Sequence, residues 1–354
     1  MLKNFLISLL GLTTGLLIGS YYFIFIYWAE TSLKSISGIF FVSMVVGALV
    51  SFLVLYNYLN VYPERSAPSE GLYKTFSIDH DNIERTYDLY IPKNFKENSG
   101  AFFVLHGSYG RAKDMRIATG YDFEYLAEKK GFLVIYPQGY KNFWNDCRAS
   151  ADYAANQENI DDVGFLKKII QKISSDYKVD QKKIIATGIS NGGQMIYRLA
   201  YEAPELISVL APLVATIPIN VNNECKKENK GVNILIFNGT KDPIAPYNGG
   251  QVELFGNTSR GIVQSSENTY EYWKSLNPAG KEAVSQIEDT DGDKSNGVIK
   301  KINAGKNVVA LFTLINGGHI YASPNVEYSS FFGGNVRDIS TAEEIFKIFE
   351  GLSD

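Results

Sequence analysis

This chain predicts an α/β fold, a mostly parallel sheet with helices on both faces, preceded by an N-terminal transmembrane helical hairpin. Three observations predict it. Short apolar strands alternate with amphipathic helices from residue 73 onward. A Gly-x-Ser-x-Gly pentapeptide lies directly between one such strand and the helix after it. Two long uncharged runs come before residue 63.

The uncharged runs are Phe5 to Trp28 and Ser35 to Tyr62, joined by a link that carries Glu30 and Lys34. A helix crosses a bilayer with roughly 20 apolar residues, so both are long enough. Gly11, Gly15 and Gly19 form a small-residue stripe on the first, and Ser43, Gly47 and Ser51 form one on the second. Such stripes let two helices approach closely in lipid. The competing reading makes the first run a cleavable signal peptide, but no A-x-A site follows it. The expectation is therefore a membrane anchor over residues 1–62, with membrane lipid as its partner. Lys3, Arg65 and Lys74 flank the hairpin and only Lys34 lies in the link, which by the positive-inside rule puts the rest of the chain in the cytoplasm.

Pro63 to Glu70 reads as part of a linker (residues 63–72), and residues 73–354 as the α/β domain. Tyr73–Ile78 and Ile83–Tyr90 suggest a hairpin. Strands are expected at Ala101–Leu105, Phe132–Tyr136, Lys183–Thr187, Ile207–Val214, Asn233–Phe237 and Val308–Ile315. Helices are expected at Phe123–Lys130, Asp161–Tyr177, about Asn191–Glu202, Ser265–Ser275 and Thr341–Leu352. Within Asp161–Tyr177, Val163, Leu166, Ile169, Ile170 and Ile173 recur at helical spacing.

Composition narrows the chemistry. The chain has 354 residues and a formal net charge of -4, which gives no ground for a nucleic-acid partner. Its two cysteines, Cys147 and Cys225, form no CxxC, so a zinc ribbon or thioredoxin-type site is excluded. Asp289-Thr290-Asp291-Gly292-Asp293 lacks the calcium-loop spacing, with Lys300 where a bidentate glutamate belongs, and reads as a polar turn. No metal and no cofactor is expected. Only His80, His106 and His319 are available to histidine-based chemistry.

Gly188-Ile189-Ser190-Asn191-Gly192 is the pentapeptide, between the strand ending at Thr187 and the helix from Asn191. A tight turn there lifts the Ser190 hydroxyl clear of the sheet, and the glycines make room for that turn. A serine needs a base to take its proton. His319 follows a late strand in Asn316-Gly317-Gly318-His319 and fits that role. His80 lies near a hairpin turn, and His106 ends an early strand as a structural residue. The acid that orients the base is Asp242, in Asn238-Gly239-Thr240-Lys241-Asp242-Pro243 after another strand. The backbone N–H groups of Asn191 and Ser108 are the expected oxyanion donors.

With these motifs in place, the sequence resembles the polyhydroxybutyrate depolymerase and feruloyl esterase family of the α/β-hydrolase superfamily from about Arg85 onward. Leu105-His106-Gly107, Tyr136-Pro137-Gln138-Gly139, Trp144-Asn145, Asp161 to Phe165, Gly188 to Gly193, Asn238 to Pro243, Pro246 to Gly250 and Gly317-Gly318-His319 carry the resemblance. It implies ester cleavage through an acyl-enzyme, without a cofactor, by Ser190, His319 and Asp242. It also implies a cleft lined by Trp144 and a structural Asp162. Where relatives follow the late histidine with Trp-Pro-Gly, this chain has Ile320-Tyr321-Ala322-Ser323, which puts Tyr321 at the cleft and the substrate in question. Cys147 and Cys225 fall where relatives carry cysteines, so the resemblance implies a disulfide and favours the extracytoplasmic side, against the charge count.

The expectation is a serine esterase acting on small-molecule or polymeric esters. The alternatives are a serine peptidase or amidase of the same fold, and a catalytically silent membrane-tethered binding protein.

Overall fold

A computed structural model describes residues 42–52, 59–277, 279–289 and 297–352. Two compact units emerge. One is Met1–Asn60 with Ser329–Phe331, and the other is Val61–Tyr328 with Phe332–Asp354. In the first unit, residues 42–52 are helical. The expected transmembrane hairpin is corrected here: among the described residues, no helix is long and apolar enough to cross a membrane. Phe5–Trp28 and the link lie outside the described residues, as does much of the second run. The expected polar turn at Asp289–Asp293 also falls outside them from residue 290 to 296.

The second unit is built on strands β1 (Val61–Pro63), β2 (Leu72–His80), β3 (Ile83–Ile91), β4 (Ala101–Leu105), β5 (Leu133–Pro137), β6 (Ile184–Ile189), β7 (Val209–Leu213) and β8 (Ile234–Gly239). They are followed by β9 (Gly250–Gln251), β10 (Ile262–Val263), β11 (Lys281–Ile287), β12 (Val298–Ala304), β13 (Val308–Leu314) and β14 (Val326–Tyr328). Ten of them form one sheet in the order β11-β12-β13-β8-β7-β6-β4-β5-β3-β2. Its centre, from β5 through β4, β6, β7 and β8 to β13, is parallel. This is the α/β-hydrolase arrangement. The reversal of order at β3, β5 and β4 sends each later crossover the same way along the sheet.

Chemistry explains which strands are central. β4 through β8 read Ala-Phe-Phe-Val-Leu, Leu-Val-Ile-Tyr-Pro and similar runs, buried on both faces. Neighbours within one strand serve opposite faces. Phe103 joins the core under the helices Asp162–Tyr177, Asn191–Glu202 and Ser266–Ser275. Phe102 joins the core under Ala112–Ala118, Asp122–Lys130 and Thr341–Gly351. The β2–β3 hairpin closes through Asp81 and Asn82, both at positive φ (51° and 60°), as a two-residue turn of matching twist requires.

The antiparallel edge β11–β12 is the part the sequence reading missed in β11. Lys281–Ile287 is exposed along nearly its whole length, so it carries no buried-strand signal, and its charged residues suit an open edge.

Candidate active site

Ser190 sits between β6 and the helix Asn191–Glu202 at φ 56°, ψ -114°. A non-glycine residue at that backbone conformation is strained. Close approach explains the flanking glycines. A Cβ on Gly192 would lie 2.6 Å from the carbonyl oxygens of Leu105 and His106, and one on Gly188 would lie 2.5 Å from the Gly192 backbone. The Ser190 N–H donates to the Leu213 carbonyl at 2.9 Å, tying the turn to β7.

Asp242 and His319 arrive on two loops stitched together at the end of the sheet. The Thr240 N–H donates to the Leu314 carbonyl (3.0 Å) and the Lys241 N–H to the Gly317 carbonyl (2.9 Å). Asn316 N–H donates to the Thr240 hydroxyl at 2.8 Å. A Cβ on Gly239 would meet the Gly317 carbonyl oxygen at 2.3 Å, so the contact between these loops demands glycine.

The result is a closed carboxylate–imidazole pair. His319 Nδ1 donates to Asp242 Oδ2 at 2.7 Å, with side-chain exposures of only 6% and 2%. Asp242 Oδ1 accepts from the N–H groups of Ile244 and Ala245, both at 2.8 Å. A carboxylate only accepts, so the ring is held as the Nδ1–H tautomer.

The loop at the end of β4 lies against the elbow: a Cβ on Gly107 would be 3.4 Å from Ser190 Cβ. His106 is the strut of this loop. Its Nδ1 donates to the Gly107 carbonyl at 2.7 Å and its Nε2 accepts from the Gly139 N–H at 2.9 Å. Burial pushes its pKa down to about 4, so it holds the loop as a neutral ring. This holds the Gly107 end of the loop against the Ser190 turn.

Trp144 and Tyr321 depart from expectation. Trp144 is fully buried; its Nε1 donates to the His106 carbonyl at 2.9 Å and its N–H to Asn191 Oδ1 at 2.8 Å. It braces the elbow and is no cleft wall. Tyr321 is 1% exposed in the core, with its hydroxyl donating to Asp122 at 3.1 Å and accepting from the Ala342 N–H at 3.0 Å. The apolar surroundings of Ile320 to Ala322 bury it beside the helix Thr341–Gly351. His80, beside the β2–β3 hairpin turn, is half-buried with Nε2 at 3.0 Å from Asp161.

A buried polar network around Asn191 escaped the sequence reading. Asn191 Nδ2 donates to Asp146 Oδ2 (2.7 Å) and to the Tyr153 hydroxyl (3.1 Å). Arg148 pairs with Asp146 at 2.6 Å, and both are almost completely buried. Burial alone would raise the Asp146 carboxyl; Arg148 and the hydroxyl of Tyr153 outweigh it and hold it below its ordinary value. Cys147, in the same stretch, is bonded to Cys225 across 78 residues. The only signal in the sequence is the short polar run around that cysteine. Asp162, implied to be structural, is fully buried, accepts from the Asn145 N–H at 2.7 Å and pairs with Arg85 at 2.7 Å.

No family model matches the chain. It is similar to "Probable feruloyl esterase C" of Aspergillus niger, 30% identical over 182 residues, which are 49% of this chain and 61% of that protein. It is also similar to acetylxylan esterase A of Talaromyces purpureogenus, 31% identical over 121 residues, 34% of this chain and 31% of that protein. The chain thus spans less than two thirds of the length of these relatives. Among solved structures, acetyl xylan esterase from Aspergillus awamori aligns with a TM-score of 0.47 and 16% identity, covering 70% of this chain and 94% of that one.

Proposed function

We propose that this chain, a relative of feruloyl and acetylxylan esterases, is a carboxylic-ester hydrolase that works through an acyl-enzyme. The observation that carries the reading is the 2.7 Å His319–Asp242 pair on loops stitched to the end of the same sheet as the Ser190 elbow. Ser190 Oγ attacks the ester carbonyl carbon and its proton passes to His319 Nε2, the ring nitrogen opposite the one bound to Asp242. The carbonyl oxygen becomes an oxyanion, which the N–H groups of Ser108 and Asn191 stabilise. The tetrahedral intermediate collapses, the C–O bond to the alcohol breaks, and the imidazolium protonates the departing alkoxide. Water then attacks the acyl-enzyme, giving up a proton to His319. The second collapse frees the acid and returns the proton to Ser190.

Small-molecule or polymeric esters are the substrate class. A panel of aryl, short-chain and polyester substrates, run beside peptides and amides, tests the reading. Turnover of aryl and short-chain esters is expected, and cleavage of peptides alone would overturn it in favour of an amidase.

The disulfide supports placing this domain in an oxidising, extracytoplasmic compartment. The expected result is that Cys147 and Cys225 resist a thiol-alkylating reagent when the protein is taken directly from cells and denatured without reductant. Quantitative alkylation would sink this placement.

A further inference from the structure

Arg260 is 4% exposed. Its Nη1 is buried with no hydrogen-bond partner, and no ion pair to a described residue engages the guanidinium. The other buried arginines are paired, Arg85 with Asp162 at 2.7 Å and Arg148 with Asp146 at 2.6 Å. A buried donor without an acceptor is costly, and a fold that pairs its other buried guanidiniums leaves the Nη1 of this one for an acceptor outside the described residues. Asp152 feels the charge of Arg260 without forming a close ion pair with it. That carboxyl is exposed and is held below its ordinary value first by the Ser259 hydroxyl, at 2.6 Å, with the charge of Arg260 a lesser cause.

The position of Arg260 ties it to the site. It precedes β10, on the excursion that leaves β9 after the loop of the acid. Val252 N–H donates to the Gly261 carbonyl at 3.0 Å and Glu253 N–H to the Ile244 carbonyl at 3.2 Å, two residues from Asp242. On its other side, Asn222 Nδ2 donates to the Arg260 carbonyl at 3.2 Å while Asn222 Oδ1 accepts from the Ser150 N–H at 3.0 Å. Ser150 lies two residues beyond the Asp146–Arg148 stretch that grips Asn191. The backbone around Arg260 is therefore tied on one side to the acid loop and on the other to the stretch that braces the elbow.

We propose that Arg260 anchors a carboxylate carried by the ester substrate, making this an esterase selective for acidic esters; the inference rests on the hydrolase reading above. The planar guanidinium fork matches a carboxylate bidentately, and the ligand supplies the acceptor that Nη1 lacks.

The test compares wild type with Arg260→Gln and Arg260→Lys on three esters. One is neutral (methyl 4-acetoxybenzoate), one has its carboxylate on the leaving group (4-acetoxybenzoate), and one has it on the acyl side (mono-4-nitrophenyl succinate). Arg260→Gln is expected to lower kcat/KM about tenfold or more on one acidic ester, chiefly through KM, and about twofold or less on the neutral ester. Arg260→Lys should retain part of the preference, because it keeps the charge and loses the fork. The acidic ester that responds identifies the side of the scissile bond. Equal charged-to-neutral ratios in wild type and Arg260→Gln, or equal losses on all three esters, would overturn the proposal. A melt with added benzoate needs no turnover: benzoate should raise the melting temperature of wild type and not that of Arg260→Gln. If wild type hydrolyses no ester, the hydrolase reading fails while the benzoate melt still decides for or against the anion site.

Discussion

Ser190→Ala is expected to lower kcat on a short acyl aryl ester by about 10⁵- to 10⁶-fold. The side chain lost is the only atom group that bonds covalently to the acyl carbon. The residual rate comes from binding and from the N–H groups of Ser108 and Asn191, which the substitution leaves in place. Stability should hardly move. Alanine meets the same backbone strain at φ 56° as serine does, and the Ser190 N–H to Leu213 bond belongs to the backbone. The measurement is single-turnover kinetics beside a thermal melt, with a fluorophosphonate probe as a label. Wild type should be labelled once and the variant not at all. A variant that keeps more than about a hundredth of the rate would mean that another group does the chemistry.

Much of this was legible in the sequence because the fold writes itself in period and punctuation. The buried strands β4 to β8 are largely apolar runs, and the elbow glycines Gly188 and Gly192 are demanded by contacts of 2.5–2.6 Å that leave no alternative residue. The order Ser190, Asp242, His319 follows from which strands end at the same edge. What stayed hidden depends on three-dimensional company. Trp144 and Tyr321 are large and amphipathic, and nothing in their neighbours along the chain distinguishes a cleft wall from a core. Their polar ends find partners far away in sequence, His106 for one and Asp122 for the other. The Asp146–Arg148–Tyr153–Asn191 network is equally silent, because hydrophilic residues in a loop read as solvated until burial is known. Arg260 is an arginine in an irregular stretch, and only its burial with an unsatisfied Nη1 sets it apart. The uncharged N-terminal runs show the opposite failure. Hydropathy suggested a span, and no described helix bears it out.

Asp242→Asn should cost about 10⁴-fold in kcat with little change in KM, and the hydrogen bonds around the carboxylate say why. Oδ1 is held by two donors, the N–H groups of Ile244 and Ala245 at 2.8 Å. An asparagine there has one way to satisfy both: its carbonyl oxygen takes the place of Oδ1. Its NH₂ must then face His319 Nδ1, across what is now a 2.7 Å contact. Two donors cannot share that contact, so the imidazole gives up its Nδ1 proton and carries the proton on Nε2 instead. The ring then presents an N–H to the Ser190 hydroxyl where it should present a lone pair, and the general base is lost without any movement of backbone. Asp242→Ala differs in kind: it removes the anchor and leaves the tautomer unconstrained. Its damage should therefore fall in ring orientation and loop packing, with a lower melting temperature that Asp242→Asn does not share. Melting curves and pH–rate profiles of both variants on one aryl ester separate these outcomes. An asparagine variant within about tenfold of wild type would mean that Asp242 merely closes its own turn and does not set the proton on His319.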